Sequence, residues 1–412
     1  MKTIVLITTG QPSTNPRIVK EADALQKAGF DVTVLYSFFI SWASEKDSLL
    51  LQQVAWKYKE VGGSPTHRKG IYLWTRIRYK AARTLNRLLG HSFLLAERAQ
   101  ARAFDELLLQ AKKIKGDWYI GHNLGALAIA VRAAKHNNGN AGFDFEDYHR
   151  GELQPNDKVC IERVSWLENK YMPMLRYFSS ASEMITEAVN RDYPRLTGKS
   201  ITLLNCFPLE QQPPFKEKSA EDKSLKLFWF SQTIGKNRGL ENLIYALMHL
   251  KDPLIHLTLA GRCDTSFEDF LQQNAAELSD NIHLAGIIEP EYLPSFASQF
   301  DVGLALETGF SENNKIALSN KIFTYLLAGL AVILTETPMQ ASFNKDYNVG
   351  ISFTHGDKAA LAKAILRYKN MIELNTQKQV NYRLSKTLFN WNVESQKLLS
   401  VLNGSPSILE SQ

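Results

Sequence analysis

A chain of 412 residues exceeds what a single hydrophobic core usually organises, so two sizeable domains are expected. Apolar residues at 44% and charged residues at 22% exclude a disordered or fibrous chain. The net charge of +6 is unevenly spread: residues 1–200 hold 29 Lys+Arg against 20 Asp+Glu, or +9, which leaves −3 for the remainder.

The first segment, MKTIVLITTGQPS, carries an apolar run too short for a signal peptide or a membrane span. It reads as a core strand, Thr3 to Thr8, followed by a helix from Pro16 to Ala28 that stops at Gly29. Asp31 to Leu35 is the next strand. From Val61 to Ala96 there is no acid but seven bases: Arg68, Lys69, Arg76, Arg78, Lys80, Arg83 and Arg87. Arg76, Lys80, Arg83 and Arg87 share one helical face, and Trp74, Ile77, Ala81, Leu85 and Leu88 share another. A basic amphipathic helix over residues 68–88 suits an anionic membrane surface. The other reading is a solvated helix whose apolar stripe packs on its own domain. Nucleic acid is not expected, because no recognised binding motif accompanies the charge.

Asp117 to Ile120 is a strand that runs into the polar turn HNLG and a helix from Gly125 to Ala134. Phe143 to Phe145 is another, ending in the charged loop EDYHRGE. Helical patterns cover 158–172 and 182–193, and Ile201 to Leu204 is a strand. Residues 207–224 are rich in proline and charge and read as a linker. Strands then recur at Leu225 to Phe230, Leu254 to Ala260 and Asn281 to Leu284, with a helix from Gly239 to Leu250. The stretch Asp301 to Leu334 gives strand, polar loop, helix, glycine stop and strand, one βαβ step of a parallel sheet. A last long helix is expected near Leu384 to Leu402, before a disordered tail. Cys160, Cys206 and Cys263 are scattered and odd in number, which speaks against a disulfide framework or a zinc site and fits a reducing cytoplasm.

The expected fold class is therefore α/β, with two Rossmann-like domains facing a central cleft. The expected boundaries are 1–206, a linker 207–224, a second domain 225–380, a helix 381–403 packing back on the first domain, and a tail 404–412.

Several segments in this order resemble retaining glycosyltransferases of the GT-B fold, in the large family 4 group. They are NPRIVKEADALQKAGFDVTVL, DWYIGHNLGALA, the DFEDYH loop, WFSQTIGKNRGLENLIYAL and SNKIFTYLLAGLAVI. The branch is similar to those of bacterial surface-polysaccharide pathways. The resemblance implies that the second domain holds a nucleotide-sugar, its diphosphate met by basic side chains and helix N-termini with no metal or other cofactor. Thr233, Gly235, Lys236 and Arg238 fall in that loop; Glu312, Asn320 and Lys321 fall in the later donor segment. Arg238 matches the lysine that precedes the family's helix glycine, while a second phosphate arginine falls on Gln232. His122 matches the family's active-site histidine, which contacts the transferred sugar. A lone histidine after a strand is otherwise a structural residue. Asn15, Arg17, Glu146, Asp147 and His149 fall on the acceptor side, where Asn15 and Pro16 also fit a plain helix start.

One departure stands out. The family carries two glutamates with seven residues between them; here those positions are Ile316 and Thr324. Glu307 and Glu312 are the candidates to replace the sugar-contacting member, with Glu307 catalytic. The implied activity is retaining transfer of a sugar to a glycan or lipid-linked acceptor, in the cytoplasm or at the inner face of its membrane. A nucleotide-sugar epimerase of the same fold and a glycan-binding subunit without activity remain the alternatives.

Overall fold

A computed structural model describes residues 1–152 and 157–404; the expected tail from 405 onward lies outside the described residues. The chain divides into two compact units. One is Met1–Leu203 together with the chain from Ser395 on, and the other is Leu204–Glu394. Each is built on a parallel sheet flanked by helices, the two Rossmann-like domains that the alternating pattern implies.

The first unit has seven strands: β1 (Thr3–Thr8), β2 (Asp31–Ser37), β3 (Lys57–Val61), β4 (Trp118–His122), β5 (Asn140–Phe145), β6 (Tyr177–Ser180) and β7 (Ser200–Thr202), in the order β3-β2-β1-β4-β5-β6-β7. Residues 4–8 of β1 and all of β4 are buried, which is why both read as unbroken apolar runs. The order of crossover reverses between β1 and β4, the switch point where open α/β sheets leave a crevice at the strand ends. There the register sets Thr8 beside His122, His122 beside Asp144, and Asp144 beside Ser179. Side chains in one row across parallel strands point to one face, so these four polar groups gather at one end of the sheet. Leu398 and Leu402, near the C-terminus, complete this unit's hydrophobic core beside Ile4, Leu6 and Val34.

The second unit has six strands: β8 (Leu225–Ile234), β9 (Ile255–Cys263), β10 (Ile282–Gly286), β11 (Val302–Ala305), β12 (Ala331–Thr335) and β13 (Gly350–Phe353), in the order β10-β9-β8-β11-β12-β13. Its switch point lies between β8 and β11. Leu227, Trp229, Leu257, Leu259, Leu304 and Ile333 form the heart of its core. Segment 207–224 belongs to this unit and is pinned down. Lys218 Nζ lies 2.9 Å from Asp301, and Tyr382 donates to the Pro213 carbonyl at 3.0 Å.

Three elements depart from expectation. β8 does not end at Phe230. After a register shift it pairs on through Thr233 and Ile234 with Arg262 and Cys263, because Gly261 (φ +139°) lets the Ser231 carbonyl approach where a Cβ would collide. The polar loop after Glu307 is not wholly a loop; it contains a short helix, Glu312–Ile316, capped by Ser311. The last long helix is two, Met371–Thr387 and Trp391–Asn403. Asn390 causes the break, its amide donating to the Ser385 carbonyl (2.9 Å) and its oxygen accepting from the Val393 amide (3.0 Å).

Candidate functional site

Each unit carries polar residues at its own switch point. In the first unit a pocket of ≈ 330 Å³ lies over the ends of β1, β4 and β5. Thr8, Thr9, Asn123, Glu146 and His149 are among its walls, with Asn15 and Phe39. Asn15 is a helix cap and a pocket residue at once. Its side-chain oxygen accepts from the Arg17 and Ile18 amides at 3.1 and 3.2 Å, while its amide nitrogen donates to Glu146.

Beneath the pocket sits a buried ionic network. Arg17 grips Asp144 with two parallel hydrogen bonds, Nε to Oδ2 at 2.6 Å and Nη2 to Oδ1 at 2.8 Å, and donates to the Leu203 carbonyl at 2.7 Å. His122 Nε2 is 3.2 Å from Glu21, and its Nδ1 is 3.5 Å from Glu146 and 3.6 Å from Asp144. Arg17, Glu21, His122 and Asp144 are all fully or nearly fully buried. Burial opposes the imidazolium, but Glu21 outweighs it, helped by Glu146 and Asp144, and the ring's pKa rises to about 10. Burial likewise opposes the Asp144 carboxylate, and Arg17 outweighs it, so Asp144 stays below the usual carboxylate range. Thus His122 and Arg17 lie under the pocket floor, whereas Asn15, Glu146 and His149 reach its wall. His149 is held by Glu168, 3.4 Å from its Nδ1, and leans on Phe145. Asp147 is half-buried and does not line the pocket.

A raised pKa on a buried histidine ties stability to pH. The proton is bound in the folded chain up to about pH 10 but leaves the unfolded chain near 6.5. The imidazolium's stabilisation is therefore complete below pH 6.5 and fades as pH climbs toward 10. Denaturant unfolding over that window should show stability falling with pH, and His122→Gln should flatten the fall.

Among the described residues, Glu21, His122 and Asp144 are a group whose ligand-type atoms lie within 4.8 Å of one another. The Arg17 guanidinium occupies both Asp144 oxygens, so the place a cation would need beside that carboxylate is already taken by a positive charge.

In the second unit the loops after β8 and β11 meet. Gly239, in left-handed backbone at φ +78°, comes so near Leu306 that an added Cβ would lie 2.6 Å from its carbonyl oxygen. This contact anchors the loop Gly235–Gly239 at the start of the Leu240–Leu250 helix. Lys236 and Arg238 are exposed there, neither paired with a carboxylate among the described residues, and Arg238 donates to the Ser231 hydroxyl at 3.0 Å. Thr233, next to last in β8, is half-buried.

Across that contact, Glu307 follows β11. Its Oε1 accepts from Lys321 Nζ (2.9 Å) and Ser319 Oγ (2.8 Å), and its Oε2 from Asn314 (3.2 Å). Burial would raise its pKa, but Lys321, Ser319 and Asn314 together bring it down to about 2. Glu307 is thus ionised under all ordinary conditions and holds Lys321 over the ring of Trp229, 5.6 Å from its centroid. Asn320 is exposed at the first position of the Asn320–Ala328 helix, where free backbone N–H groups favour an anion. Glu312 does not join this group: it is exposed and pairs with Lys315 on its own short helix. Thr324 is fully buried, its hydroxyl 3.4 Å from the Asn320 carbonyl.

The sequence reading missed Glu21 and Ser319. Glu21 had a signal: with Arg17 it places opposite charges four residues apart on the face that also carries Ile18, Ala22 and Leu25, all buried.

Residues 211–383 match the family model described as Glycosyl transferases group 1. No curated protein matches the chain. Among solved structures, an Anabaena protein, Alr3699/HepE, in complex with UDP-glucose superposes with a TM-score of 0.70 at 14% identity, covering 98% of this chain and 100% of that one. Sucrose-phosphate synthase from Thermosynechococcus elongatus gives 0.69 at 14%, covering 98% and 99%. The lipopolysaccharide outer core galactosyltransferase WaaB in its apo form gives 0.60 at 12%, with 98% and 99% covered. At such identities the likeness establishes the fold. The chain thus has the two-domain GT-B fold, and residues 211–383, within its second unit, are similar to the glycosyl transferases group 1 model.

Proposed function

We propose that the protein is a retaining, metal-independent glycosyltransferase that moves a sugar from a nucleotide-sugar to a glycan or lipid-linked acceptor in cell-surface polysaccharide synthesis. The observation that carries this reading is the pairing of Lys321 with a permanently ionised Glu307, beside a loop that presents Lys236 and Arg238. Those cations and the Asn320–Ala328 helix start would meet the diphosphate and stabilise it as it departs with the bonding electrons. The acceptor hydroxyl would sit in the first-unit pocket against Asn15, Glu146 and His149, and the departing phosphate would take its proton. His122 would act through Glu146 as a positioning residue. The neighbour solved with UDP-glucose supports a uridine diphosphate donor, and the name of WaaB supports a surface-glycan acceptor.

The test is donor binding and slow hydrolysis across a panel of nucleotide-sugars, with and without chelator. Turnover of one donor despite chelator, accelerated by an acceptor glycan, is the expected result. Binding without turnover under any acceptor would favour a glycan-binding subunit, and interconversion of the sugar would favour an epimerase. No binding at all would overturn the placement of the donor site.

A further inference from the structure

The acid-free segment forms a helix, Lys69–Leu89, whose buried side is not its apolar one. Thr75, Ala82 and Asn86 face inward. Arg102 fixes that orientation by donating to Thr75 Oγ1 at 2.5 Å and to the Gly62 carbonyl at 2.8 Å, and Arg78 adds an ion pair with Asp105 at 3.1 Å. The large apolar residues are therefore turned out: Trp74 is 58% exposed, Ile77 62%, Leu85 40% and Leu88 73%. The stripe does not pack on its own domain.

Two neighbouring segments extend this surface. Phe39, Ile40 and Trp42 are exposed just after β2, and the Phe38 ring meets Tyr72 of the helix at 5.7 Å, so they lie beside its first turns. Past the helix, Phe93 is 87% exposed while held in left-handed backbone at φ +52°, an unfavourable conformation for a bulky residue. Arg76, Lys80, Arg83 and Arg87 are exposed along the adjoining side. An apolar patch of this extent is unusual on a surface meant only for water. A second copy of the chain would bring the basic edges together with no acid between Val61 and Ala96 to offset them. An anionic bilayer suits both halves of the face.

We propose that this face docks on an anionic lipid bilayer, with Trp74, Ile77, Leu85, Leu88 and Phe93 entering the headgroup boundary and the basic edge meeting lipid phosphates. Phe39 belongs both to this surface and to the first-unit pocket. A lipid-anchored acceptor would thus reach the pocket along the docked face; that last step alone rests on the transferase reading.

The experiment is co-sedimentation of the full chain with phosphatidylcholine vesicles, with and without phosphatidylglycerol. Binding is expected only with the anionic lipid and should weaken as salt rises. Arg76→Gln with Lys80→Gln should lower partitioning roughly 25-fold, about fivefold per charge. Ile77→Ser with Leu88→Ser should lower it roughly tenfold. All four side chains point outward, so circular dichroism and nucleotide-sugar binding should stay as in the parent chain. Absence of binding, equal binding to neutral vesicles, or a dimer in sedimentation velocity that the serine variant dissolves would overturn the proposal. Donor binding in the same samples separates the two readings: a chain that binds donor but not vesicles refutes the docking alone.

Discussion

Replacing Arg17 with methionine should destabilise the first unit by about 3–5 kcal/mol, because it strands buried carboxylates without their cation. Asp144 would lose both its guanidinium hydrogen bonds, and the Leu203 carbonyl would lose its donor. Glu21, 3.8 Å from Arg17 Nε, would keep only His122 as a positive neighbour. The measurement is equilibrium unfolding in urea near neutral pH. Adding Asp144→Asn to the methionine variant should recover part of the loss, since one buried negative charge then disappears with the positive one. A loss under about 1 kcal/mol for Arg17→Met would mean that water reaches the network and the pocket floor is not closed.

The largest loss of activity should come from Arg238→Ala and Lys321→Ala, each lowering donor turnover about 10²- to 10³-fold. These cations are useful in transfer to the extent that they hold the departing diphosphate more tightly than the bound donor. The drop should therefore fall mainly on kcat, with a smaller rise in KM. Lys321→Ala has a second signature. Without its cation Glu307 loses the strongest of the influences that keep its pKa near 2, and its titration should move up toward the ordinary carboxylate range. Lys321→Arg should restore part of the turnover, since it keeps the charge but changes the reach. Full activity in Lys321→Ala would remove the donor from this half of the second unit.

Strands buried on both faces were plain in the sequence: β1, β4 and β12 appear as apolar runs, and their ends fall within a residue or two of expectation. β3 was hidden because it is an edge strand, Lys-Tyr-Lys-Glu-Val, whose first three residues are exposed and charged or aromatic. β13 was hidden by its short length and its opening glycine, whose missing Cβ leaves room for the Val332 carbonyl. The break between the last two helices left no gap in the apolar pattern; one asparagine decides it through hydrogen bonds the pattern does not contain. For the site, spacing identified the residues at strand ends but not the direction of their side chains. His122 ends β4 and Glu146 follows β5, while Asn15 and Arg17 open the helix Pro16–Lys27, yet His122 and Arg17 are buried under the pocket floor and Asn15 and Glu146 reach its wall. Register sets His122, Asp144 and Ser179 in one row, and two hydrogen bonds to Asp144 draw Arg17 in beside them; neither is written in the spacing of the sequence.

The first unit's core is finished by residues from the far end of the chain. Leu398 and Leu402 pack with Ile4, Leu6 and Val34, and Lys2 Nζ donates to the Leu402 carbonyl at 2.8 Å. During synthesis, everything up to Leu203 leaves the ribosome nearly two hundred residues ahead of them. At about 5–20 residues per second, the nascent first unit waits roughly 10–40 s with an uncovered apolar seam. The second unit has all of its strands before that seam is sealed. Its birth order is thus inverted: the unit translated first is the last to be completed, and a chain stalled before Leu398 would expose a sticky half-core to chaperones and proteases.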